Sequence, residues 1–404
     1  MAAAATAAAA ANGELIRVKE IRLYGARYTS ARVIRHYLEV REGDILTQKE
    51  LDEGLARSRR NLENTQFFSR VNIFDLPRKN PREAVIMVDL AEGTTWRLAA
   101  STRQVRLSKA NMGGAARTLG AEFGLDRQRV FFEQPWLFDR KLVAAAGAFF
   151  ENGRLIETEA YHGPGERFRY ESVGGDASLG YIITLRANAG LGVLAEDLTY
   201  YDTHIKATPW PRYGVQSHAR LVALTPYLEW DARDDTLYPT RGFWFRIQGE
   251  GATAAVGDYE YAGGKLETRG YFSPAWKVVA AQRLIVGATS ARTPYIRWFD
   301  ISGGEGLRNA ISRRVVGTTA ALYTAELRRY LFPSPWFSAW FEGVAFFDAG
   351  RTWDAGEPVD VSGFDYAFGP GLRLHMRNPL IFDWRAELDV NQELAFYATA
   401  RAAF

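Results

Sequence analysis

The chain has 404 residues, and its 50 Lys and Arg residues nearly balance its 47 Asp and Glu residues, leaving a net charge of +3. This balance gives no reason to expect nucleic-acid binding, which favours a strongly basic surface. The absence of cysteine excludes disulfides, thiolate metal sites and cysteine nucleophiles. No histidine has a partner at metal-ligand spacing, so no metal or other cofactor is expected; the histidines are His36, His162, His204, His218 and His375.

The chain begins with an alanine-rich stretch, residues 1–12, which we interpret as a leader or a remnant. It is low in complexity and lacks the basic segment with which a secretory signal begins. It is therefore left out of the fold prediction.

Residues 13–93 predict a small mixed domain with the order strand, helix, helix, strand, strand. The first strand ends at Gly25. The next segment, 29–40, predicts a helix that has Thr29 or Ser30 as its N-cap, with apolar residues at helical spacing behind it.

The second helix of this domain has the clearer signals. It begins at Thr47, and Glu50 three residues later completes a capping box. Its buried stripe consists of Leu51, Leu55 and Leu62. Two strands follow, and the segment 68–75 should leave an exposed sheet edge that can accept a peptide strand.

Residues 94–404 lose helical periodicity and show period-two alternation instead. Over 382–390 the charged residues alternate with a full apolar set, Phe382, Trp384, Ala386, Leu388 and Val390. No apolar run approaches the ~20 residues of a membrane-spanning helix. Aromatic residues cluster near strand ends, and the length suits an antiparallel transmembrane β-barrel of about 14 to 16 strands, with 16 favoured. A soluble β-sandwich also alternates and is the remaining alternative.

The small domain resembles a POTRA domain, the periplasmic module of the BamA/TamA-type outer-membrane assembly family. The resemblance lies in residues 21–73, which carry a glycine after the first strand, "EGD" between the helices, and a T-x-F-F-x-x-V run into the second strand. The chain carries one such domain, fewer than the main assembly proteins of that family, so a role as the central insertase is not implied.

The second region resembles the barrel of the same family through several motifs in the family's order. These are "DARDDTLYPTRG" at 231–242, "FDISGGEGLRN" at 299–309, "FFDAG" at 346–350 and "FGPGLRL" at 368–374. Phe404 at the end of the chain, with Phe396 on the last strand, is similar to the family's C-terminal assembly signal. The resemblance covers nearly the whole chain.

The resemblance implies that the loop containing Arg308 folds back into the barrel. Its arginine would be held there by inward carboxylates of the next two strands, which are Glu326 and Asp348. Strand parity supports this independently, because Glu326 shares a face with Thr324, and Asp348 shares a face with Phe346. A guanidinium can bind carboxylates through two parallel hydrogen bonds.

The glycines of this loop, Gly303, Gly304 and Gly306, are interpreted as slack that lets the loop fold inward. A phosphate-binding loop is the alternative, but such a loop needs a helix N-terminus aimed at the anion, and an alternating strand follows here. The family pattern is Val or Ile, Arg, Gly, then Phe or Tyr. This chain has Asn309 and Ala310 after the arginine, so it lacks the aromatic residue.

The motif at 231–242 is interpreted as a structural turn. Asp231, Asp234 and their neighbours could be imagined as calcium ligands, but the EF-hand spacing is absent. Pro239 and Gly242 favour a tight turn. Arg233 would form an ion pair with an aspartate of the turn.

The resulting hypothesis is a non-enzymatic factor in the outer membrane of a Gram-negative-type bacterium, with its POTRA domain in the periplasm. Its partners would be unfolded outer-membrane or secreted client polypeptides, the lipid bilayer and periplasmic accessory proteins, but no nucleic acid. It would insert clients into the outer membrane or pass them across it. The alternative is a passive porin-like channel that keeps a vestigial POTRA domain.

Overall fold

The computed structural model describes residues 15–77, 80–100, 104–156, 167–201, 217–236, 238–303, 306–308, 310, 315–333, 339–376, 384–390 and 396–401. Residues 1–12, Gly304, Asn309 and Phe404 lie outside this set. The described chain forms two compact units. A small unit contains the chain up to Trp96 together with the segment Lys109–Thr118, and a large unit contains most of the remainder.

The small unit is a four-stranded sheet with two helices. Its elements are β1 (Ile16–Tyr24), α1 (Ala31–His36), β2 (Ile45–Leu46), α2 (Gln48–Asn64), β3 (Phe68–Asp75) and β4 (Glu83–Glu92). The sheet order is β2-β1-β4-β3, with β1 parallel to β4 and the other pairs antiparallel. The predicted order of two helices between strands is confirmed, with the short β2 added. Strand β3 lies at the edge of the sheet, as expected.

Helix α1 is shorter than predicted. Ser30 is its N-cap and accepts a hydrogen bond from the Val33 amide at 3.3 Å, but the helix ends at His36. Beyond it, Leu38 and Val40 are both buried. Residues two positions apart cannot share one face of a helix, so the chain leaves the helix to bring both side chains into the core.

Helix α2 forms as its sequence predicts. The Thr47 hydroxyl accepts from the Glu50 amide, and the Glu50 carboxylate accepts from the Thr47 amide at 2.8 Å. The Thr47 amide and the Thr47 hydroxyl both donate to the Glu50 carboxylate, and they hold the pKa of Glu50 below its usual range because they stabilise its charged form. Leu51, Leu55 and Leu62 pack against the buried side chains of β1 and β4.

The segment Lys109–Thr118 adds a hairpin tip to the small unit. The Asn111 side chain donates to the Thr29 hydroxyl at 2.8 Å, and the Ser30 amide donates to the Gly114 carbonyl at 2.9 Å. A Cβ atom on Gly114 would lie 1.9 Å from the Tyr28 carbonyl oxygen, so only glycine fits there.

The large unit is an antiparallel barrel. Its strands are β5 (Trp96–Ala100), β6 (Gln104–Met112), β7 (Arg117–Gly124), β8 (Arg127–Pro135), β9 (Leu142–Ile156), β10 (Arg167–Thr184), β11 (Ala187–Tyr201), β12 (His218–Asp231), β13 (Gly242–Ala252), β14 (Tyr261–Ala275), β15 (Val278–Thr289), β18 (Thr319–Pro333), β19 (Ala339–Trp353), β20 (Asp365–Met376), β21 (Trp384–Val390) and β22 (Phe396–Arg401). Each strand pairs with its neighbour along the chain, and β22 returns to β5, so that sixteen strands of the described chain form a closed ring. Two further short strands, β16 (Phe299–Asp300) and β17 (Val316–Gly317), pair with each other in the loop between β15 and β18.

The alternation predicted from the sequence corresponds to the outer and inner faces of this ring. Phe243 and Ile247 of β13 are exposed on its outer face, whereas Asp348 and Arg373 are buried. One closed sheet replaces the two packed sheets of a sandwich, so the soluble alternative does not describe this fold. None of the helices in the described part of the chain is long and apolar enough to cross a membrane.

Candidate functional site in the barrel lumen

The site is formed by the long loop between β15 and β18. The loop contains a 3-10 helix, Tyr295–Arg297, and then the β16–β17 pair. Between β16 and β17 the chain turns back on itself, because the Leu307 amide donates to the Ile301 carbonyl at 2.7 Å. Its apolar residues pack on the inner face of β18 in one buried cluster, Ile301, Leu307, Ala310, Val315, Ala320 and Leu322.

The two described glycines of this loop meet different geometric needs. Gly303 has φ +80° with open space around its Cα, so its backbone conformation favours glycine. Gly306 has no positive φ, but a Cβ atom there would lie 2.0 Å from the Ile301 carbonyl oxygen. These glycines therefore permit a tight turn in the loop. The sequence had predicted only that they make the loop flexible enough to fold inward.

Arg308 lies at the tip of the described loop and is 4 % exposed. Its Nε donates to Asp348 Oδ2 at 2.8 Å, and its terminal nitrogen donates to Asp348 Oδ1 at 3.0 Å. The same terminal nitrogen lies 3.1 Å from Glu326 Oε1. Its guanidinium carbon also lies 3.8 Å from the centroid of the Phe346 ring. The structure thus brings together the three residues that the resemblance singled out.

Glu326 contacts two further arginines. Arg373 of β20 donates to both of its carboxylate oxygens, at 2.6 and 2.9 Å, and Arg328 lies 2.7 Å away. Arg373 is 1 % exposed. Parity alone indicated that Arg328 and Arg373 face inward, but their convergence on Glu326 was not predicted. We call Arg308, Arg328, Arg373, Glu326 and Asp348 the lumen ion cluster; its three guanidinium groups and two carboxylates leave one positive charge.

In the turn between β12 and β13, the aspartate side chains form hydrogen bonds with other residues of the same turn. Arg233 binds both oxygens of Asp231, at 2.9 and 2.6 Å. Asp234 accepts from the Thr240 amide, the Thr240 hydroxyl and the Arg241 amide. No cluster of three or more metal-ligating side chains occurs among the residues that the structure describes. The geometry is that of a structural turn.

This turn also reaches far around the barrel. The Tyr238 ring lies 5.0 Å from the Trp340 ring and 5.2 Å from the His375 ring. Trp340 and His375 belong to β19 and β20, and His375 Nε2 lies 2.9 Å from Glu342 Oε2. Three barrel strands, β14, β15 and β18, separate β13 from β19, so the turn must extend across the lumen to make these contacts. Neighbouring Pro239 is buried.

Replacing Gly242 with alanine should destabilise the barrel by about 1–3 kcal/mol, a typical cost for a strained backbone position. Gly242 has φ +98°, and a Cβ atom would lie 2.2 Å from the Ala232 carbonyl oxygen. The measurement is the temperature at which heat-modifiable gel mobility is lost. Gly270→Ala is the matched control, because that glycine of β14 has open space and an ordinary φ. Equal losses in both variants would contradict the interpretation.

The proposed C-terminal signal is only partly described. Phe396 is the first residue of β22, and Phe404 lies outside the described residues. The role of these two residues stays a prediction.

The fold and the site together define a class of protein, an outer-membrane β-barrel preceded by a POTRA domain. The family model for the Omp85 superfamily domain matches residues 111–386, and the model for the surface antigen variable number repeat, a POTRA repeat, matches residues 16–93. The chain therefore belongs to the Omp85 superfamily. No curated protein sequence matches it.

Solved structures share this fold at low sequence identity. BamA from Haemophilus ducreyi lacking POTRA domains 1–3 is 15% identical, with a TM-score of 0.55 over 96% of this chain and 83% of that one. CdiB from Escherichia coli is 13% identical, with a TM-score of 0.62 over 96% and 76% of the two chains. CdiB from Acinetobacter baumannii is 13% identical, with a TM-score of 0.55 over 96% and 73%.

Membership of this family has two consequences. The protein resides in the outer membrane with its POTRA domain in the periplasm. The family consists of non-enzymatic proteins that handle polypeptides at the outer membrane.

Proposed function

We propose that this protein receives precursor polypeptides through its POTRA domain and inserts them into the outer membrane or passes them across it. The observation that carries the proposal is the short wall of the barrel beside the junction of its first and last strands. Strands β6, β7 and β8 have 9, 8 and 9 residues, whereas β9 and β10 have 15 and 18.

A short wall affects the surrounding bilayer. A tilted transmembrane strand needs about 9–11 residues, so β7 with 8 residues is too short for the hydrocarbon thickness and β8 with 9 only just spans it. Their outward residues are apolar and exposed, as Leu119, Phe123 and Val130 illustrate. A wall shorter than the bilayer thins the lipid around it, which lowers the barrier for an incoming strand at this side of the barrel.

The junction itself supports the same proposal. In the described chain, Ala100 pairs with Ala400 between β5 and β22. Strand pairing that is exchanged between the barrel and a client satisfies the backbone hydrogen bonds of the client in lipid. Burial of the client's apolar face in the bilayer then provides the driving force, without nucleotide hydrolysis.

The POTRA domain provides the point of first contact for the client. Strand β3 is the last strand of its sheet, so one side of β3 is available for pairing with an extended peptide. A barrel precursor consists of alternating strands and suits this mode of binding.

The passive-channel alternative has less support. A channel needs an open lumen, whereas the loop with Arg308 and the turn with Tyr238 both occupy this one. Conductance through planar bilayers by the purified protein would favour the channel.

Depletion of the protein followed by proteomics of the outer membrane tests the proposal. We expect a specific set of barrel or secreted proteins to disappear, because they depend on this protein for assembly. An unchanged outer-membrane proteome would overturn the proposed function, and the missing proteins would identify the client.

A further inference from the structure

We propose that Arg297 is a second anchor of the long loop, so that the loop connects two separate parts of the barrel wall. One wall is formed by β10–β14 and the other by β18–β20. The role of this brace in opening the barrel rests on the proposed function, whereas the anchoring itself does not.

Arg297 ends the 3-10 helix and forms ion pairs with carboxylates of two strands. It contacts Glu196 of β11, and its Nε lies 3.5 Å from Glu250 Oε1 of β13. Glu196 is 5 % exposed and also accepts from the Ser172 hydroxyl of β10 at 2.9 Å. The Tyr261 hydroxyl of β14 donates to Glu250. Each carboxylate is therefore also held in position by a hydroxyl group of a neighbouring barrel strand.

Apolar contacts reinforce this end of the loop. Tyr295 is 4 % exposed and belongs to a buried cluster with wall residues that include Leu198 and Tyr259. Trp298 packs on Tyr295 with its ring centroid 5.1 Å away, and its indole nitrogen donates to the Thr293 carbonyl at 2.9 Å. The segment around Arg297 is thus held by apolar packing as well as by ion pairs.

The two anchors lie eleven positions apart and on different walls. Arg297 binds β11 and β13, and Arg308 binds β18 and β19. Between them, a cavity of about 380 Å³ is lined by the loop and by residues of β13–β15, including Gln248, Lys265 and Arg283. The loop is therefore attached to the barrel wall at two points and leaves a cavity between them. It acts as a brace between the two parts of the wall and does not fill the lumen continuously.

The brace has a direct consequence for barrel opening. Movement of the wall that leads to β22, relative to β10–β14, would break ion pairs at one anchor or the other. Buried ion pairs that lose one partner leave an uncompensated charge, so such movement is opposed until the loop is released. A purely structural Arg297, which only neutralises two lumen carboxylates, would not control one end of the loop selectively.

Cysteine reporters can test each anchor separately, because the chain has no cysteine of its own. Thr293→Cys reports on the Arg297 end, and Ala310→Cys reports on the Arg308 end; both residues are 1 % exposed. The full-length protein in phosphatidylcholine vesicles is labelled with a water-soluble maleimide. Heat-modifiable mobility shows in each case whether the barrel is folded.

Arg297→Met should raise the labelling rate of the Thr293 reporter about tenfold, because release of a buried ionic contact opens its surroundings locally. The Ala310 reporter should change little, and Arg308→Met should give the converse pattern. Arg292→Met is the matched control, since Arg292 of the same loop makes an exposed ion pair with Glu260 at 3.3 Å. Arg297→Lys should retain most of the protection, as an ammonium can still bind one carboxylate.

Two results would overturn the inference. One is a Thr293 reporter that stays protected in a folded Arg297→Met protein. The other is equal exposure of both reporters by either single variant, which would mean that the loop has one anchor. If the Arg297→Met protein does not fold, Glu196→Gln removes the charge of the partner instead, and labelling of the Thr293 reporter is measured in that variant. Labelling involves no client, so failure of client insertion by the wild-type protein in the same vesicles would count against the proposed function alone.

Discussion

Oxidation of the double variant Ala100→Cys, Ala400→Cys should reduce client assembly at least about tenfold, because a covalent bond across the junction does not open on the timescale of insertion. Ala100 and Ala400 are paired between β5 and β22. Paired antiparallel residues have Cα atoms about 4.5–5.5 Å apart, within the range that a disulfide requires. Reduction should restore activity in the same sample.

The control for this crosslink lies between two other strands of the ring, away from the junction. Ala146 and Ala177 are paired between β9 and β10 and are both exposed on the outer face. A disulfide between cysteines at these positions leaves the junction free and should not affect assembly. The measurement is the rate at which a barrel client becomes resistant to protease in vesicles. Full activity of the oxidised junction variant would exclude opening at this seam.

Arg308→Met should leave the barrel folded but release the loop and impair client assembly. The substitution keeps an apolar stem over Phe346 and removes the charge that binds Asp348. Asp348 is 0 % exposed, and breaking a buried pair typically costs about 3–5 kcal/mol. Glu326 is less affected, because Arg328 and Arg373 still bind it. The substitution therefore mainly removes the ion-pair partner of Asp348 and the attachment of the loop.

A double variant separates barrel stability from loop anchoring. Arg308→Met combined with Asp348→Leu removes both charges, and replacing a buried pair by apolar residues is often neutral for stability. We expect the heat stability of the barrel to recover, while the loop stays sensitive to protease and assembly stays low. Arg351→Met is the control, since Arg351 binds Glu357 and Asp360 in the loop after β19 instead. Recovery of assembly in the double variant would show that the loop anchor has no role in function.

The sequence by itself determined the local features of this protein. The capping box at Thr47 and Glu50 forms as predicted, because its hydrogen bonds join residues three positions apart. Period two assigned Glu326 and Asp348 to the inner face of the barrel for a similarly local reason. The pairing of these two carboxylates with Arg308 required the family resemblance in addition, because no local rule joins a loop to strands that follow it.

Only the tertiary structure decided which inward residues meet. Arg373 reaches Glu326 from two strands away, Tyr238 crosses the lumen to His375, and Arg297 meets Glu196 about a hundred positions earlier in the chain. Alternation indicates the face of a residue but not its height in the barrel or its neighbour across the lumen. Those depend on the stagger of the strands and on closure of the ring, which arise only when the whole sheet has formed.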